Sequence, residues 1–444
     1  MLAGLAAGAL LMTACGSDSG SSSESTAAGA ATTVAGETTV AGATTTAAAT
    51  GGASGEMEVY SWWTSGSEQA ALKTLFSTVT AANPGLTIVD AAVAGGAGTN
   101  AKQVLATRLS SGDIPATWQT HAGGALADYV SQDVTTDLSA LYDEQGWAAV
   151  LPASLLESMT VDGAVQAVAT GVHRGNNLFY NKAVLDKAGV TFGESTSFAD
   201  LTAAADKIKA TGVAPLCLGD KDVWTDVTLL ENLIIAELGA DAYMELLSGK
   251  RSWADAGVAT AVANFQTMLT WAQEDHQALD WTGAVDALAE GKCAFNSMGD
   301  WEYGELLVKQ QLVDGTDFGA TILGDSNVFS TVTDVFVVGK GSSNEAGAVE
   351  WMKALMDPVA QIEFAKLKGS SPARNDVDVT QLGPIGQRNA KALATGTLVP
   401  ALAQDQANIA PSVSQAFSEA VTLLVADANG ESFAAAMDAA IASA

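Results

Sequence analysis

The stretch Val59-Tyr60-Ser61-Trp62-Trp63-Thr64-Ser65-Gly66-Ser67-Glu68 decides the reading of this chain. It closes an alternating run over residues 57–62, rich in aromatic and β-branched residues, that predicts a short strand. Small turn residues and a helix entry follow. Successive side chains on a strand point to opposite faces, so Trp62 and Trp63 cannot share one core pocket if both lie on it. One indole packs, and the other meets whatever occupies the space beyond the strand's C-terminal end. In open α/β sheets that space is where ligands bind. A flat ring beside the carboxylate of Glu68 suits a polyhydroxylated ring, with stacking on one side and a strong acceptor on the other. The bland alternative is two core tryptophans at a strand end. This stretch leaves both readings open, and with them the question of which indole faces outward.

Working outward, residues 68–82 carry Leu72, Leu75, Phe76 and Val79, an apolar stripe at helical spacing. Asn83-Pro84-Gly85 stops that helix, and 86–93 reads as a second strand, parallel to the first across the intervening helix. The glycines of 95–98 lack both the Gly-Lys-Ser/Thr sequel and the Rossmann spacing, so they read as a tight turn rather than a phosphate cradle. A helix over 101–111 leads to a strand over 116–121, where Gln119 and His121 share a face. Residues 130–147 read as a surface segment anchored by Leu138, Leu141 and Trp147. A strand over 165–168 is expected to give way to a polar break, Gly171-Val172-His173-Arg174-Gly175-Asn176-Asn177, before strand-like 178–180; such a break marks a candidate inter-domain crossing.

Helices are expected from Asn181 and over 195–210, with Ser197 as N-cap, and then over 228–247 and 258–271. The buried strand 215–218 ends at Gly219-Asp220-Lys221-Asp222-Val223-Trp224, a second tryptophan just past a strand. Trp253, Trp271 and Trp281 read as core. In Gly291-Lys292-Cys293-Ala294-Phe295-Asn296-Ser297-Met298-Gly299-Asp300-Trp301 a strand runs into a turn tipped by an acid and an indole. Asp300 is either a helix N-cap or an acceptor for hydroxyls. A buried strand over 332–338, helices over 346–356 and 361–367, a constrained loop at 368–374 and a helical remainder, apolar at 398–405 and 413–426, complete the chain. Strands alternating with helices and no repeat period argue an α/β protein. Candidate ligand groups at strand ends in both halves fit a cleft between two lobes.

The 444 residues hold 50 acidic and 20 basic side chains, a formal net charge of −30. That balance argues against nucleic acid or an anionic bilayer surface as partner, since both require clustered Lys and Arg. Residues 2–12 form an apolar run of signal-peptide length, too short to span a bilayer, ending in Met12-Thr13-Ala14-Cys15-Gly16. This resembles a bacterial lipobox, which implies lipidation at Cys15 and removal of what precedes it, although Met12 stands where leucine is usual and no Lys or Arg precedes the run. Residues 16–55, mostly Ser, Thr, Ala and Gly, read as a disordered tether with an average reach of roughly 35 Å. Cys217 and Cys293 remain; in an extracytoplasmic compartment they either pair or stay free. They lack metal-site spacing, and the three histidines do too.

Several segments together resemble extracellular solute-binding proteins of carbohydrate ABC importers, nearest the branch for glucose and related monosaccharides. They are 59–66, Ala94-Gly95-Gly96-Ala97-Gly98, Gly171-Val172-His173-Arg174-Gly175-Asn176, Met298-Gly299-Asp300-Trp301 and Lys368-Gly369-Ser370. The resemblance implies a two-lobed, periplasmic-binding-protein-like α/β fold with the sugar enclosed in the cleft. The lobes divide as 56–170 and 323–370 for the first, 171–322 and 371–444 for the second. It puts Trp62, Trp63, Glu68, Gln119 and His121 at the sugar from the first lobe, and Trp224, Asp300 and Lys368 from the second lobe and the crossing, with His173 as a neighbour. Where the family reads Pro-Ser-Leu-Ala-His, this chain reads Pro400-Ala401-Leu402-Ala403-Gln404, so a glutamine replaces a sugar-facing histidine. The implied protein is a monomeric, lipid-anchored receptor, without cofactor or metal, on the outer face of the cell membrane or in the periplasm. It would hand a monosaccharide to separate permease subunits. The competing class is a secreted glycoside hydrolase using Glu68 and Asp300 as its carboxylate pair.

Overall fold

The computed structural model describes residues 52–404, 406 and 409–444. Cys15 and the tether up to residue 51 lie outside the described residues. The last tether positions do not: the first strand is Ser54–Tyr60, and Ser54 and Gly55 already pair with Gly85 and Leu86. Helix Gly66–Ala82 buries Ala71, Leu72, Leu75 and Val79 and returns the chain to a parallel second strand, Gly85–Asp90. This is the strand–helix–strand unit expected from the apolar stripe.

The first sheet adds Thr117–His121 parallel to the first strand, and then the long strand Val328–Val338 antiparallel to Thr117–His121. That long strand also pairs with Val168–Arg174 and, in parallel, with Thr397–Pro400. Two sequence expectations are corrected here. The polar run after Gly171 does not break the strand, which continues through Arg174 with every residue buried. His173 and Arg174 find partners in Asp300 and in the carbonyls of Ser326 and Val328, so polarity there signals a buried network rather than a loop. The apolar stretch expected to be helical over 398–405 is not so over its described residues, 398–404, because Thr397–Pro400 docks as a strand and Leu402–Gln404 is a single 3₁₀ turn.

The second sheet runs Ser195–Thr196, Phe318–Leu323, Asn177–Asn181, Cys293–Met298, Ala214–Leu216. Cys217 and Cys293 are joined by a disulfide beside it, with a Cα–Cα distance of 5.2 Å. Such a bond suits an oxidising, extracytoplasmic compartment.

Among the described residues three apolar clusters form, and two of them are built around the two sheets. One gathers Met57, Val59, Leu72, Leu75, Trp118, Val335, Phe336, Trp351 and Phe364 around the first sheet. The other gathers Leu201, Leu216, Leu230, Phe265, Trp271, Phe295, Phe417 and Phe433 around the second, and the C-terminal helices Pro411–Asp427 and Gly430–Ser443 pack into it. Among the described residues no helix is long and apolar enough to cross a membrane.

Candidate functional site

Between the two cores lies a cavity of about 410 Å³, within the size range of small-molecule sites. Strand ends and the loops after them build it. Trp62 sits two residues past the first strand and lines the cavity, its ring edge-on to His121 at 5.2 Å. Trp63 turns the other way, as alternation demands. It is fully buried against Phe336 and Phe364 behind the lining. The adjacent indoles thus divide their duties, one toward the cleft and one toward the core.

Lys368 ends helix Pro358–Lys368, where a cation complements the helix dipole, and the following Gly369 turns at φ 88°. Its ammonium donates to Glu68 Oε1 at 2.9 Å and lies 5.3 Å from the Trp63 ring centroid and 5.9 Å from that of Trp301. Burial raises the Glu68 carboxyl above its usual range, and Lys368 opposes part of that rise. Both side chains line the cavity. A cation held between two rings and a carboxylate at a cavity wall is a pre-set, charge-assisted partner for hydroxyls.

Asp334 is the acid the sequence reading missed. It sits in an apolar strand, at the point where Val328–Val338 shifts register against Val168–Arg174, and it lines the cavity wall. Gln119 Nε2 donates to Asp334 Oδ1 at 2.8 Å, and Gln119 Oε1 accepts from Trp62 N at 3.2 Å. His121 Nε2 stands 3.6 Å from Asp334 Oδ1. His173 bridges onward, with Nδ1 2.5 Å from Asp300 Oδ1 and Nε2 3.2 Å from Asp334 Oδ2 without hydrogen-bond alignment. Burial opposes ionisation of Asp334, yet the His173 contact and the charges of Lys368, His173 and His121 hold it well below the usual carboxylate range. For His173, burial and Lys368 work against the charged form, but Asp300 and Asp334 outweigh them and raise its pKa. The signal in the sequence was the acid itself: a carboxylate inside Val332-Thr333-Asp334-Val335-Phe336 must be paired.

The structure therefore sorts the sequence-selected residues into two layers. Trp62, Glu68, His121, Trp224, Lys368 and Gln404 line the cavity. Trp63, Gln119, His173 and Asp300 stand behind it and hold the lining in place. Asp300 starts helix Trp301–Val308 but makes no side-chain cap. Its Oδ2 accepts from Arg174 N at 3.0 Å and from Asn389 Nδ2 at 3.2 Å, so its carboxylate is spent on the protein. Trp281, expected in the core, is buried in an apolar cluster with Trp224 and also borders the cavity, packed edge-on to Trp224 at 6.4 Å.

Trp301 and Glu305 complete one wall. Helix Trp301–Val308 is fastened to the first lobe at both ends of its contact. Glu305 Oε1 accepts from Ser67 N at 2.7 Å and Ser67 Oγ at 2.8 Å, at the start of helix Gly66–Ala82. A Cβ at Gly304 would lie 2.5 Å from Leu367 O, and one at Gly369 would lie 2.1 Å from Asp300 O, so these backbones touch. The facing wall carries Lys221, Asp222, Trp224, Asp280 and Trp281. Gly96, from the first lobe, meets it: a Cβ there would fall 2.4 Å from Trp224 Nε1. Trp224 Nε1, Trp301 Nε1 and Glu305 Oε2 are buried without a hydrogen-bond partner. The lining thus combines ring faces with spare donors and acceptors. Among the described residues no cluster of His, Cys, Asp and Glu could hold a metal ion.

A family profile described as bacterial extracellular solute-binding protein matches residues 63–362. A probable sugar-binding periplasmic protein from Rhizobium meliloti is 32% identical over 83% of this chain and 89% of its own. An uncharacterized ABC transporter extracellular-binding protein from Pyrococcus horikoshii is 30% identical over 79% of this chain and 80% of its own. A solved structure of the bacterial solute receptor AcbH, described as having an exclusive preference for β-D-galactopyranose, superposes with a TM-score of 0.75 at 17% identity. That match covers 87% of this chain and 98% of the receptor. It shows the likeness of fold.

Proposed function

We infer that this chain, which belongs to the bacterial extracellular solute-binding proteins, is the sugar receptor of an ABC importer. It binds a monosaccharide, glucose or a close relative, between its lobes and presents it to a separate permease. The observation that carries this reading is the cavity wall itself. Four indoles, Trp62, Trp224, Trp281 and Trp301, line the same cavity as the Lys368–Glu68 pair and Asp334. Aromatic faces take the apolar C–H side of a pyranose, and the buried charges take its hydroxyls. Gln119, His173, Asp300 and Trp63 act one layer back, fixing the geometry of the groups that touch sugar. The receptor works as a monomer tethered to the outer membrane face through lipid on Cys15; a Cys15→Ala variant should then leave the membrane fraction and appear in the soluble one.

The deciding experiment is a titration of intrinsic tryptophan fluorescence with glucose, galactose, mannose, xylose, arabinose and maltose. A saturable change with a hexose or pentose at micromolar or lower concentration is expected. A flat response to the whole panel would remove the sugar assignment. The hydrolase alternative finds less support, because Asp300, the second carboxylate it needs, does not line the cavity. Release of product from aryl glycosides would revive it.

A further inference from the structure

Gln404 reaches the cavity from a strap of chain, Pro400 to Gln404, and its own side chain has little to hold it. Its amide Nε2 meets Thr228 Oγ1 only at 3.5 Å, the limit of a hydrogen bond. What holds the strap lies elsewhere. Resting on the sugar reading of the cleft, we propose that Glu231, outside the lining, is a positioning residue that sets Gln404 for ligand by clamping the backbone just before it.

Glu231 is fully enclosed on helix Trp224–Leu247, the helix that also brings Trp224 to the cavity. Its Oε1 accepts from Leu402 N at 2.5 Å and its Oε2 from Ala403 N at 3.2 Å. Tyr243 OH donates to the same Oε1 and lies 3.1 Å from Pro400 O. On an unbroken helix residues twelve apart would be separated by about 18 Å. The chain breaks at Gly239, with φ 74° and ψ 176°, and this fold-back delivers Tyr243 to the carboxylate. From the other side Ala401 N donates to Thr331 O at 3.1 Å, and Gln406 Oε1 accepts from Thr333 N at 3.0 Å. The strap is thus pinned to the long strand of the first sheet and to one acid of the second lobe. Three donors converge on two carboxylate oxygens, an arrangement an amide cannot reproduce, since its NH₂ would face an N–H. Burial pushes Glu231 up to about 7, against the hydrogen bonds from Tyr243, Leu402 and Ala403.

The test uses the full chain and a double-mutant cycle, read by tryptophan fluorescence with the panel sugar that wild type binds tightest. Glu231→Gln and Gln404→Ala should each raise Kd about tenfold or more, and the double variant should be no more than about twofold weaker than Gln404→Ala alone. Multiplying losses, or an unchanged Kd for Glu231→Gln, would overturn the proposal. Tyr243→Phe keeps the carboxylate and both backbone donors, and covers the case where Glu231→Gln fails to fold. It should weaken binding severalfold in wild type and not in the Gln404→Ala background; equal loss in both would count against the clamp. Amide exchange reads the clamp without ligand and separates its failure from that of the sugar reading. Faster exchange across Leu402–Gln404 in Glu231→Gln is expected even if no sugar binds, and unchanged protection there would end the idea.

Discussion

Replacing each of the adjacent tryptophans by alanine should produce opposite phenotypes, and the magnitudes follow from where each ring sits. Trp62 lines the cavity and touches His121 edge-on, so its loss removes a ring face from ligand more than from the core. If half a face, roughly 50 Å² of apolar contact, is lost at ~25 cal/mol/Å², with ~1 kcal/mol more for the aromatic contact, binding weakens by about 2 kcal/mol, or roughly 30-fold. Trp63 is fully buried among Phe336, Phe364 and the Lys368 ammonium. Removing it leaves a core cavity, at a cost of ~3–5 kcal/mol of stability. Its effect on affinity is indirect, through Lys368, and should be smaller than that of Trp62→Ala. Isothermal titration and thermal melting of both variants check this together. The reasoning fails if Trp62→Ala binds as wild type does while melting lower, or if Trp63→Ala loses affinity with an unchanged melting temperature.

Three further outcomes are expected. Gly96→Ala places a methyl against the Trp224 indole where the lobes meet, so ligand affinity should drop while the melting temperature of the free protein holds; an unchanged Kd would mean that this contact does not accompany binding. Reducing the Cys217–Cys293 bond, which spans 76 residues of chain, should lower stability by up to ~4–5 kcal/mol on the chain-entropy estimate, seen as an earlier urea transition with reductant present; coincident transitions would refute it. Burial, with Asp220 nearby, raises Asp226 to about 8. A carboxyl that keeps its proton when folded and loses it when unfolded makes stability fall as pH rises from about 4 to 8. Asp226→Asn should therefore flatten that slope and melt higher than wild type at pH 8, with little difference at pH 4.

Much of the fold was legible because local periodicity and burial agreed. The stripe of Leu72, Leu75 and Val79 faces the core as its spacing requires, and the paired strands around it follow from one helical crossover. Ser197 caps its helix by accepting from Asp200 N. The site was legible only in part. Spacing on a strand correctly set Gln119 and His121 on one face, but which of them reaches the cavity depends on Asp334, a partner more than 200 residues away on a strand that reads as uniformly buried. Trp281 reads as core and does pack in one; that it also borders the cavity stays hidden, because an indole on an amphipathic helix looks alike whether its neighbours are side chains or a cleft. Asp300 was recognised as important from its turn, yet the turn could not reveal that His173, Arg174 and Asn389 already hold its oxygens. Polar residues inside strands carry the information that apolar patterning conceals.

The backbone contact between helix Trp301–Val308 and the Lys368–Gly369 turn has a consequence for the order of events. With no side chains between them, Gly304 and Gly369 leave nothing to slide, and Glu305 fastens the same helix to Ser67. If the lobes swing apart, this junction is the fulcrum. Glu305, Lys368, Glu68, Asp334 and Trp62 would then stay together as one half-site, with Trp301 at the junction touching Trp224 on the other side. Capture becomes a two-step process, in which the half-site selects ligand on arrival and the Trp224 side sets how long it stays. Changes at Lys368 or Asp334 should register first in the association rate, and changes at Trp224 or Gly96 in the dissociation rate.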